Sequence, residues 1–191
     1  MGLADRLRGY WQRFRPCFRT RTRDCAAYAY NYLSGLLRMK TDRNYANIGR
    51  QTGASGQGVH HFPKDPAGMS NSPWPAQAVI RQVQQEIASR PDLRRGGMLL
   101  LDESADEKAS EKTVGAGRQW NGRLGKTEMS QVGTFLAYVN GDVWTWVDGE
   151  LFLQEHWFSP EMAKARQRLG VPAERRFETK VQLGWKMIQR A

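Results

Sequence analysis

Apolar positions in the first half of the chain follow the spacing of amphipathic helices. From Leu3 to Phe18 they recur at steps of three and four residues, which predicts an N-terminal helix that Pro16 kinks or ends. Similar stripes predict a helix from Asp24 to about Met39 and another within "AQAVIRQVQQEIAS". The positions that define the three stripes are Leu3, Leu7, Tyr10, Phe14 and Phe18, then Tyr28, Tyr32, Leu36 and Met39, and finally Val79, Ile80, Val83 and Ile87.

The segment "RNYANIGRQTGASGQGVHHF" predicts two short helices joined by a glycine turn. The first contains Tyr45 and Ile48, "TGAS" forms the turn, and the second runs from Gln57 to Phe62. This is the outline of a helix-turn-helix, although two helices joined by glycine are also common in ordinary helical bundles. We interpret His60 and His61 as polar helix residues rather than as ligands, and "PKDPAGMSNSPWP" as a loop.

The second half of the chain has the pattern of strands followed by helices. The predicted strands are Met98–Leu101, Gln131–Val139 and Val143–Val147, with "LFL" continuing the third strand or starting another after a turn at "DGE". Because these strands are closely linked, they are expected to pair antiparallel. Helices are predicted at Pro160–Leu169 and Thr179–Ala191. The fold class is therefore α+β, with a helical bundle over residues 1–95 and a sheet with C-terminal helices over residues 96–191.

The net positive charge of the chain lies entirely in its first half. The net charge is +10, and residues 1–100 carry 16 Lys/Arg against 6 Asp/Glu, whereas residues 101–191 carry 13 of each. This asymmetry indicates a polyanion-binding region joined to a neutral one, or else a basic solvated surface. The candidate phosphate contacts are Arg13, Arg15, Arg19, Arg21 and Arg23, which form the densest run, together with Arg43 and Arg50.

Cysteine spacing and hydropathy exclude several other classes of protein. Cys17 and Cys25 are eight residues apart, a spacing that fits no usual zinc site even when His60 and His61 are included. Both cysteines are therefore expected to be reduced. No apolar run approaches about 18 residues, so no membrane span is expected. The sequence thus predicts a cytoplasmic protein with no membrane partner, associated with the nucleoid if its basic half binds DNA.

Five blocks, taken in order and spacing, resemble the DDE transposases of bacterial insertion sequences. They are "LLLDES", "VGAGRQWNGRLGK", "QVGTFLAYVNGD", "ELFLQEHWF" and "GVPAERRFETKVQLGWKMIQRA". The segment "YAYNYLSGLLRMKTDRNYANIGRQTG" is similar to the helical DNA-binding region that precedes the catalytic core in that group. The resemblance covers roughly residues 24–191.

The resemblance implies a partial RNase H-like domain over residues 96–191, with three antiparallel strands and then helix. Asp102 would be the family's first catalytic aspartate and a ligand of Mg²⁺ (or Mn²⁺) in a two-metal centre. The family's second aspartate and its glutamate lie further on, so the chain is expected to be an N-terminal portion that is inactive alone. Without the family's fourth strand beside it, Met98–Leu101 would be an exposed apolar edge of the sheet.

The chain also departs from the family pattern. The segment "ADEKASEK" replaces apolar and basic residues of the family by acidic ones. Asp106 and Glu107 are placed in a loop there, while Glu103 is expected to point to the face opposite Asp102. A complete metal site built from these acids is not expected, because such sites need several preorganised ligands.

Some residues have two interpretations from the sequence. Asp102 is the ancestral metal ligand or a surface aspartate after a strand. Trp144 and Trp146 share one strand face and are predicted to be core residues. A polar-basic hairpin beside the active strand would reach DNA phosphates or would simply be a solvated hairpin tip, and its residues are Arg118, Gln119 and Lys126.

Three functional hypotheses follow. The first is a transposase portion that binds duplex DNA at insertion-sequence ends, with a second copy or a full-length transposase as protein partner. The second is a non-catalytic regulator that associates with an intact transposase through the open sheet edge. The third is a self-contained metal-dependent hydrolase that uses Asp102, Asp106 and Glu107.

Overall fold

The α+β class is confirmed by the computed structural model, which describes residues 2–52 and 74–191. The chain divides into two compact units, Met1–Gln82 and Val83–Ala191. The described helices are α1 (Leu3–Phe14), α2 (Ala26–Arg38), α3 (Tyr45–Thr52), α4 (Ala76–Ala88), α5 (Ala163–Arg168) and α6 (Lys180–Arg190). The strands are β1 (Met98–Glu107), β2 (Gly117–Asn121), β3 (Lys126–Asn140) and β4 (Val143–Leu151).

The core of the first unit is built on an aromatic stripe of α1 and the 3-10 helix Arg15–Phe18 that follows it. Trp11, Phe14 and Phe18 are buried, and the rings of Trp11 and Phe18 stack at 5.1 Å between centroids. The predicted stripe is wrong in part, since Leu3 is 83% exposed and Tyr10 41% exposed. Trp11 is buried where the sequence pattern predicted Tyr10, because the face that packs on the core contains Trp11, Phe14 and Phe18.

Helices α2 and α3 meet through small residues. The buried positions of α2 are Ala26, Ala29 and Gly35, whereas Tyr28 is 40% exposed. A Cβ added to Gly35 would lie 2.6 Å from Cγ2 of Ile48, so glycine is what allows α3 to approach this closely. The predicted stripe on α2 is therefore wrong only at Tyr28, since Tyr32, Leu36 and Met39 are half-buried.

Part of the predicted helix-turn-helix lies outside the described residues. The first short helix is present as α3, and Thr52 ends it. The remainder of the predicted turn, the predicted helix Gln57–Phe62 with both of its histidines, and the loop up to Pro73 lie in residues 53–73, outside the described ranges. Cys17 and Cys25 are both free thiols.

The second unit is organised around the long strand β3. Phe135 lies opposite both Asp102 of β1 and Gly149 of β4, and Ser130 lies opposite both Glu107 and Gly117. Hence β1 follows one edge of β3, and β2 and β4 share the other edge. All pairings are antiparallel, as predicted.

Three strand predictions need correction. β1 continues through Glu107, so Asp106 and Glu107 lie on a strand rather than in a loop. The predicted hairpin contains a fourth strand, β2, where three strands were expected. The predicted turn at "DGE" is wrong because β4 runs through it, with a register shift that leaves Val147 as the extra residue of a β-bulge.

Helices cover one face of this sheet. Leu136, Val147 and Met187 form its buried core, and Val83, Ile87 and Tyr138 pack against that core. α6 begins with a capping box in which the Thr179 side chain accepts from Gln182 N at 3.2 Å and Thr179 N donates to Gln182 Oε1 at 2.8 Å. α6 also approaches β1 closely, because a Cβ on Gly184 would overlap the Leu101 side chain.

The opposite side of the sheet, here called the open face, is rich in exposed apolar side chains. Residues directly opposite each other across an antiparallel pair share a face. Met98 and Leu100 of β1 and Trp144 and Trp146 of β4 therefore lie on the same face as Asp102 and Phe135. Its exposed members include Met98 (63%), Leu100 (50%), Trp144 (75%) and Trp146 (55%). The prediction that the two tryptophans are core residues is therefore wrong, since the face that they share is the one without a helix layer among the described residues.

No helix within residues 2–52 and 74–191 is both long and apolar enough to cross a membrane.

Candidate functional site

Asp102 occupies the centre of β1 and faces solvent on the open face. It lies opposite Phe135, and its Oδ1 accepts a hydrogen bond from the backbone N–H of Glu103 at 2.8 Å. Strand alternation places Ser104 and Asp106 on this face and Glu103 on the other. The predicted orientation of Glu103, away from Asp102, agrees with this arrangement.

The other acidic residues of β1 are held by cations. Glu103 pairs with Lys180 of α6, Asp106 pairs with Lys108, and Glu107 pairs with Arg123 at 3.3 Å. Asp106 follows Asp102 by four residues, so the two carboxylates are about 13 Å apart along the strand. That separation is several times the distance of about 4 Å between ions in a two-metal centre.

The described residues therefore do not fit a two-metal centre. No group of three or more His, Cys, Asp or Glu residues within the described ranges is arranged to hold a metal ion. Asp102 can supply one carboxylate, and one carboxylate does not hold two hard cations by itself. The structure does not assemble Asp102, Asp106 and Glu107 into the hydrolase site that the third hypothesis requires.

The hairpin of β2 and β3 lies away from Asp102. Arg118 is opposite Met129, whereas Asp102 is opposite Phe135, a difference of six residues or about 20 Å along β3. β2 and β1 also lie on opposite edges of β3. The hairpin therefore lies near the Glu107 end of β1, where Arg123 pairs with Glu107, and not beside Asp102.

The three predicted DNA-contacting residues of the hairpin differ in what they can offer a ligand. Arg118 is exposed. Gln119 donates from Nε2 to the carbonyl of Ser130 at 2.7 Å, so its amide serves the β2–β3 pairing. Lys126 pairs with Glu128 at 3.0 Å between Nζ and Oε2.

A well-defined turn presents the N-terminal arginines. A bridge joins Arg19 to Asp24, and Thr20 N donates to the carbonyl of Arg23 at 2.8 Å. The Thr20 hydroxyl in turn accepts from Arg23 N at 3.0 Å. Arg19, Arg21 and Arg23 are exposed, and this arrangement, here called the arginine turn, fixes their backbones.

The remaining predicted arginines surround the helices of the first unit. Arg13 lies 5.0 Å from the Tyr10 ring centroid, and Arg15 is exposed at the start of the 3-10 helix. Arg43 donates from Nε to the carbonyl of Met39 at 2.8 Å, and Arg50 hydrogen-bonds to the side chain of Asn47. Residues 2–52 carry eleven Lys/Arg and three Asp/Glu, so this part of the chain has a large positive excess.

The two thiols of the first unit have no role in this surface. Burial, the largest effect at each, raises the pKa of Cys17 and of Cys25. Cys17 also donates from Sγ to the carbonyl of Ala78 at 3.4 Å. A thiol with a raised pKa is less ionised and therefore less reactive.

A buried ion-pair network was not predicted from the sequence. Asp148 has a fully buried side chain and pairs with Arg190 of α6 at 2.5 Å, and Glu150 pairs with Arg190 and with Arg175, each at 2.5 Å. Burial pushes the pKa of Glu150 upward, but the hydrogen bonds from Arg175 and Arg190 together outweigh burial and hold that pKa below its usual value. The hydrogen bond to Asp148 is the largest cause of the raised pKa of Arg190.

The bulge explains why this network is hidden in the sequence. It changes the alternation of β4, so that Val147 and Asp148 are both buried. Nothing in "WVDGEL" marks the aspartate as buried, because the pattern resembles that of an exposed turn.

Comparison with known proteins identifies a family and a relative. A family model described as "DDE superfamily endonuclease" matches residues 13–191. The protein described as "Probable transposase for insertion sequence element IS701" from Microchaete diplosiphon is 35% identical over 72 residues. That match covers 38% of this chain but only 17% of the relative. No solved structure matches.

Proposed function

Because the chain belongs to the DDE superfamily of endonucleases, with the transposases of insertion sequences, we propose that it binds duplex DNA and carries one ligand of the catalytic metal centre. In this proposal residues 1–95 are the DNA-binding region and residues 96–191 are a partial RNase H-like domain. The duplex ends of an insertion sequence are the proposed substrate. Asp102 is the first metal-binding aspartate.

The arginine turn is the observation that best supports DNA binding. Phosphate contacts account for most non-specific affinity for DNA, and exposed arginines on a fixed backbone supply them with little loss of conformational freedom. Arg19, Arg21 and Arg23 meet both conditions. Arg13, Arg15, Arg43 and Arg50 are further exposed arginines of the same unit.

We propose α3 as the first helix of the predicted helix-turn-helix, whose second helix lies outside the described residues. The close contact of Gly35 with Ile48 packs α3 against α2, which suits the first helix of such a motif. Arg43 precedes α3 and Arg50 lies in its last turn, and each is tied to a neighbouring backbone or side-chain group. They are proposed to position the backbone of DNA rather than to read bases.

The RNase H-like assignment is supported by strand order. β1, β3 and β4 are three antiparallel strands in the order that the fold requires, and Asp102 lies at the centre of the first. β2 is a hairpin strand added between the first two. Nucleases of this superfamily generally use divalent metals, and here Mg²⁺ or Mn²⁺ would be held by Asp102 with ligands from outside the described residues.

The binding proposal is tested by titrating duplex DNA at several salt concentrations. Replacing Arg19, Arg21 and Arg23 by Gln should lower the slope of log affinity against log salt by between two and three, about 0.9 for each phosphate that the protein no longer neutralises. The matched control replaces Lys112, Arg123 and Arg168 by Gln, which removes three positive charges from the second unit. A wild-type protein with no salt-dependent affinity for duplex DNA would overturn the proposal.

Catalysis is tested separately by incubating supercoiled DNA with Mg²⁺ or Mn²⁺. We expect no nicking by the chain alone, because the described carboxylates do not converge. Nicking that disappears in Asp102→Asn would instead establish the self-contained hydrolase.

The open edge of β1 supports a second candidate function, that of a non-catalytic partner of an intact transposase. Within the described residues, β3 is the one strand that pairs with β1, so its other edge presents free backbone groups. Co-purification with a full-length relative should be abolished when Leu99→Lys introduces a charge on that strand. Failure of the wild-type chain to co-purify would remove this candidate.

A further inference from the structure

A groove in the second unit combines three arginines with two aromatic rings. It lies beside α5 and encloses about 600 Å³. The residues that matter to its chemistry are Phe158, Arg166, Arg175, Arg176 and Phe177. We propose that this groove binds one nucleotide of a single-stranded DNA segment, an inference that rests on the DNA-binding function proposed above.

Two arginines of the groove are anchored through one terminal nitrogen each. Arg166 donates from Nη1 to the carbonyls of Trp157 and Ser159, the latter at 3.1 Å. Arg176 donates from Nη1 to the carbonyls of Ala173 at 2.7 Å and Arg175 at 3.1 Å. The Nε and Nη2 groups of both residues have no hydrogen-bond partner in the part of the chain that the structure describes, so they can bind phosphate oxygens.

The charge of these two guanidinium groups is not neutralised by a carboxylate. Arg175 differs, because it pairs with Glu150 at 2.5 Å and donates to the carbonyl of Leu151 at 3.0 Å. No ion pair of Arg166 or Arg176 occurs among the described residues. Residues 160–180 carry six Lys/Arg against three Asp/Glu, so the surroundings also favour an anion.

The aromatic side of the groove suits a nucleobase. The rings of Phe158 and Phe177 meet edge to face with centroids 6.2 Å apart, and Phe177 remains 38% exposed. The guanidinium carbon of Arg166 lies 5.7 Å from the Phe158 ring centroid. Aromatic faces beside a basic track are the combination by which proteins bind single strands without reading their sequence. In a duplex the base faces are stacked on one another, so a single strand is the better ligand.

The direct test compares Arg176→Gln with Arg168→Gln in the whole chain. Both residues are exposed, both substitutions remove one charge, and Arg168 does not line the groove. With a labelled oligothymidine in an anisotropy titration, Arg176→Gln should weaken binding roughly tenfold, the expected cost of one charged hydrogen-bonding group. Its salt slope should fall by about 0.7, the value for one phosphate contact of a single strand. Arg168→Gln should match wild type, and Phe177→Leu should weaken binding while retaining the salt slope.

Duplex binding separates this proposal from the general one. If wild type binds neither duplex nor single strand, the proposed DNA-binding function fails and the groove proposal with it. If wild type binds duplex with salt dependence but Arg176→Gln behaves as Arg168→Gln on oligothymidine, the groove proposal alone is overturned.

Photocross-linking locates the strand independently of any substitution. An oligonucleotide with 5-iododeoxyuridine should cross-link to a peptide that contains Phe158 or Phe177, since the base is expected to lie on these rings. Cross-links confined to other peptides would contradict the proposal.

Discussion

At the scale of single residues, the buried ion pairs of the second unit stabilise the fold, and Asp102 takes no part in them. The Asp148 carboxylate has no exposed surface and pairs with Arg190, whereas Asp102 is exposed with its Oδ1 bound to the adjacent backbone N–H. A buried carboxylate that loses its charge leaves its cation without full compensation. The stability of the protein should therefore depend on the charge of Asp148 and not on that of Asp102.

Asp148→Asn should destabilise the protein by about 2 kcal/mol, less than the full cost of breaking a buried pair because Arg190 is 40% exposed and keeps Glu150. Asp102→Asn should leave stability unchanged. Chemical denaturation of both variants gives the comparison. Equal stability of Asp148→Asn and wild type would show that the ion pair is not a structural element.

The lowered pKa of Glu150 gives stability a defined dependence on pH. Burial opposes this shift, and the hydrogen bonds from Arg175 and Arg190 outweigh burial. Since the folded-state pKa lies below the unfolded one, the stabilisation is fully present above the unfolded pKa of about 4.3 and is lost as pH falls through the folded pKa.

Glu150→Gln should therefore be less stable than wild type near neutral pH, and the difference should shrink below about pH 4.3. Thermal unfolding from pH 7 to pH 3 measures it. Glu155→Gln is the control, since it removes an exposed carboxylate. A constant difference between Glu150→Gln and wild type over this range would contradict the assignment.

At the scale of elements, the helices follow their sequence patterns more closely than the strands do. α4 and α6 begin and end within about a residue of their predicted limits, because apolar periodicity and the Thr179 cap act locally. β1 extends through six acidic or small residues that strand propensity disfavours, since pairing with β3 over Ser130–Val139 overrides propensity. The bulge in β4 likewise depends on how β4 pairs with β3, which the sequence pattern of β4 alone does not show.

Packing between elements is equally difficult to predict from one sequence, and Gly35 shows why. Its role depends on Ile48, which belongs to a different helix. Alanine normally stabilises a helix relative to glycine by about 1 kcal/mol. Here the added methyl would lie 2.6 Å from Cγ2 of a β-branched side chain that has little freedom to move.

Gly35→Ala should therefore destabilise the protein by about 1 kcal/mol or more, since overpacking exceeds the gain in helix propensity. Gly9→Ala in α1 is the matched control, because its added Cβ would meet nothing within 4 Å, and it should stabilise by roughly 0.5–1 kcal/mol. Urea denaturation measures both variants. If Gly35→Ala proved as stabilising as Gly9→Ala, α2 and α3 would not approach as closely as described.

At the scale of the whole molecule, charge and apolar exposure are separated along the chain. The positive excess lies in the first hundred residues, and this much was evident from the sequence alone. The candidate catalytic residue was also identified from its sequence block, but its environment was not, because that depends on which carboxylates the strands bring together. The acids of β1 alternate between faces, and the three other than Asp102 bind separate cations, a consequence of strand geometry rather than of composition.

The open face gives the last prediction, since an apolar surface with two tryptophans promotes association of the isolated chain. Trp144 is 75% exposed and Trp146 55%, and Met98 and Leu100 continue the apolar surface on β1. Trp144→Arg should reduce concentration-dependent association in sedimentation velocity, and the unfolding midpoint should not change, because so exposed a ring contributes little to the core. Trp120→Arg is the control: Trp120 is 56% exposed but lies opposite Thr127, about 40 Å along β3 from the Val139 position opposite Trp144. Equal association of wild type and Trp144→Arg, or an equal effect of Trp120→Arg, would show that the open face does not drive self-association.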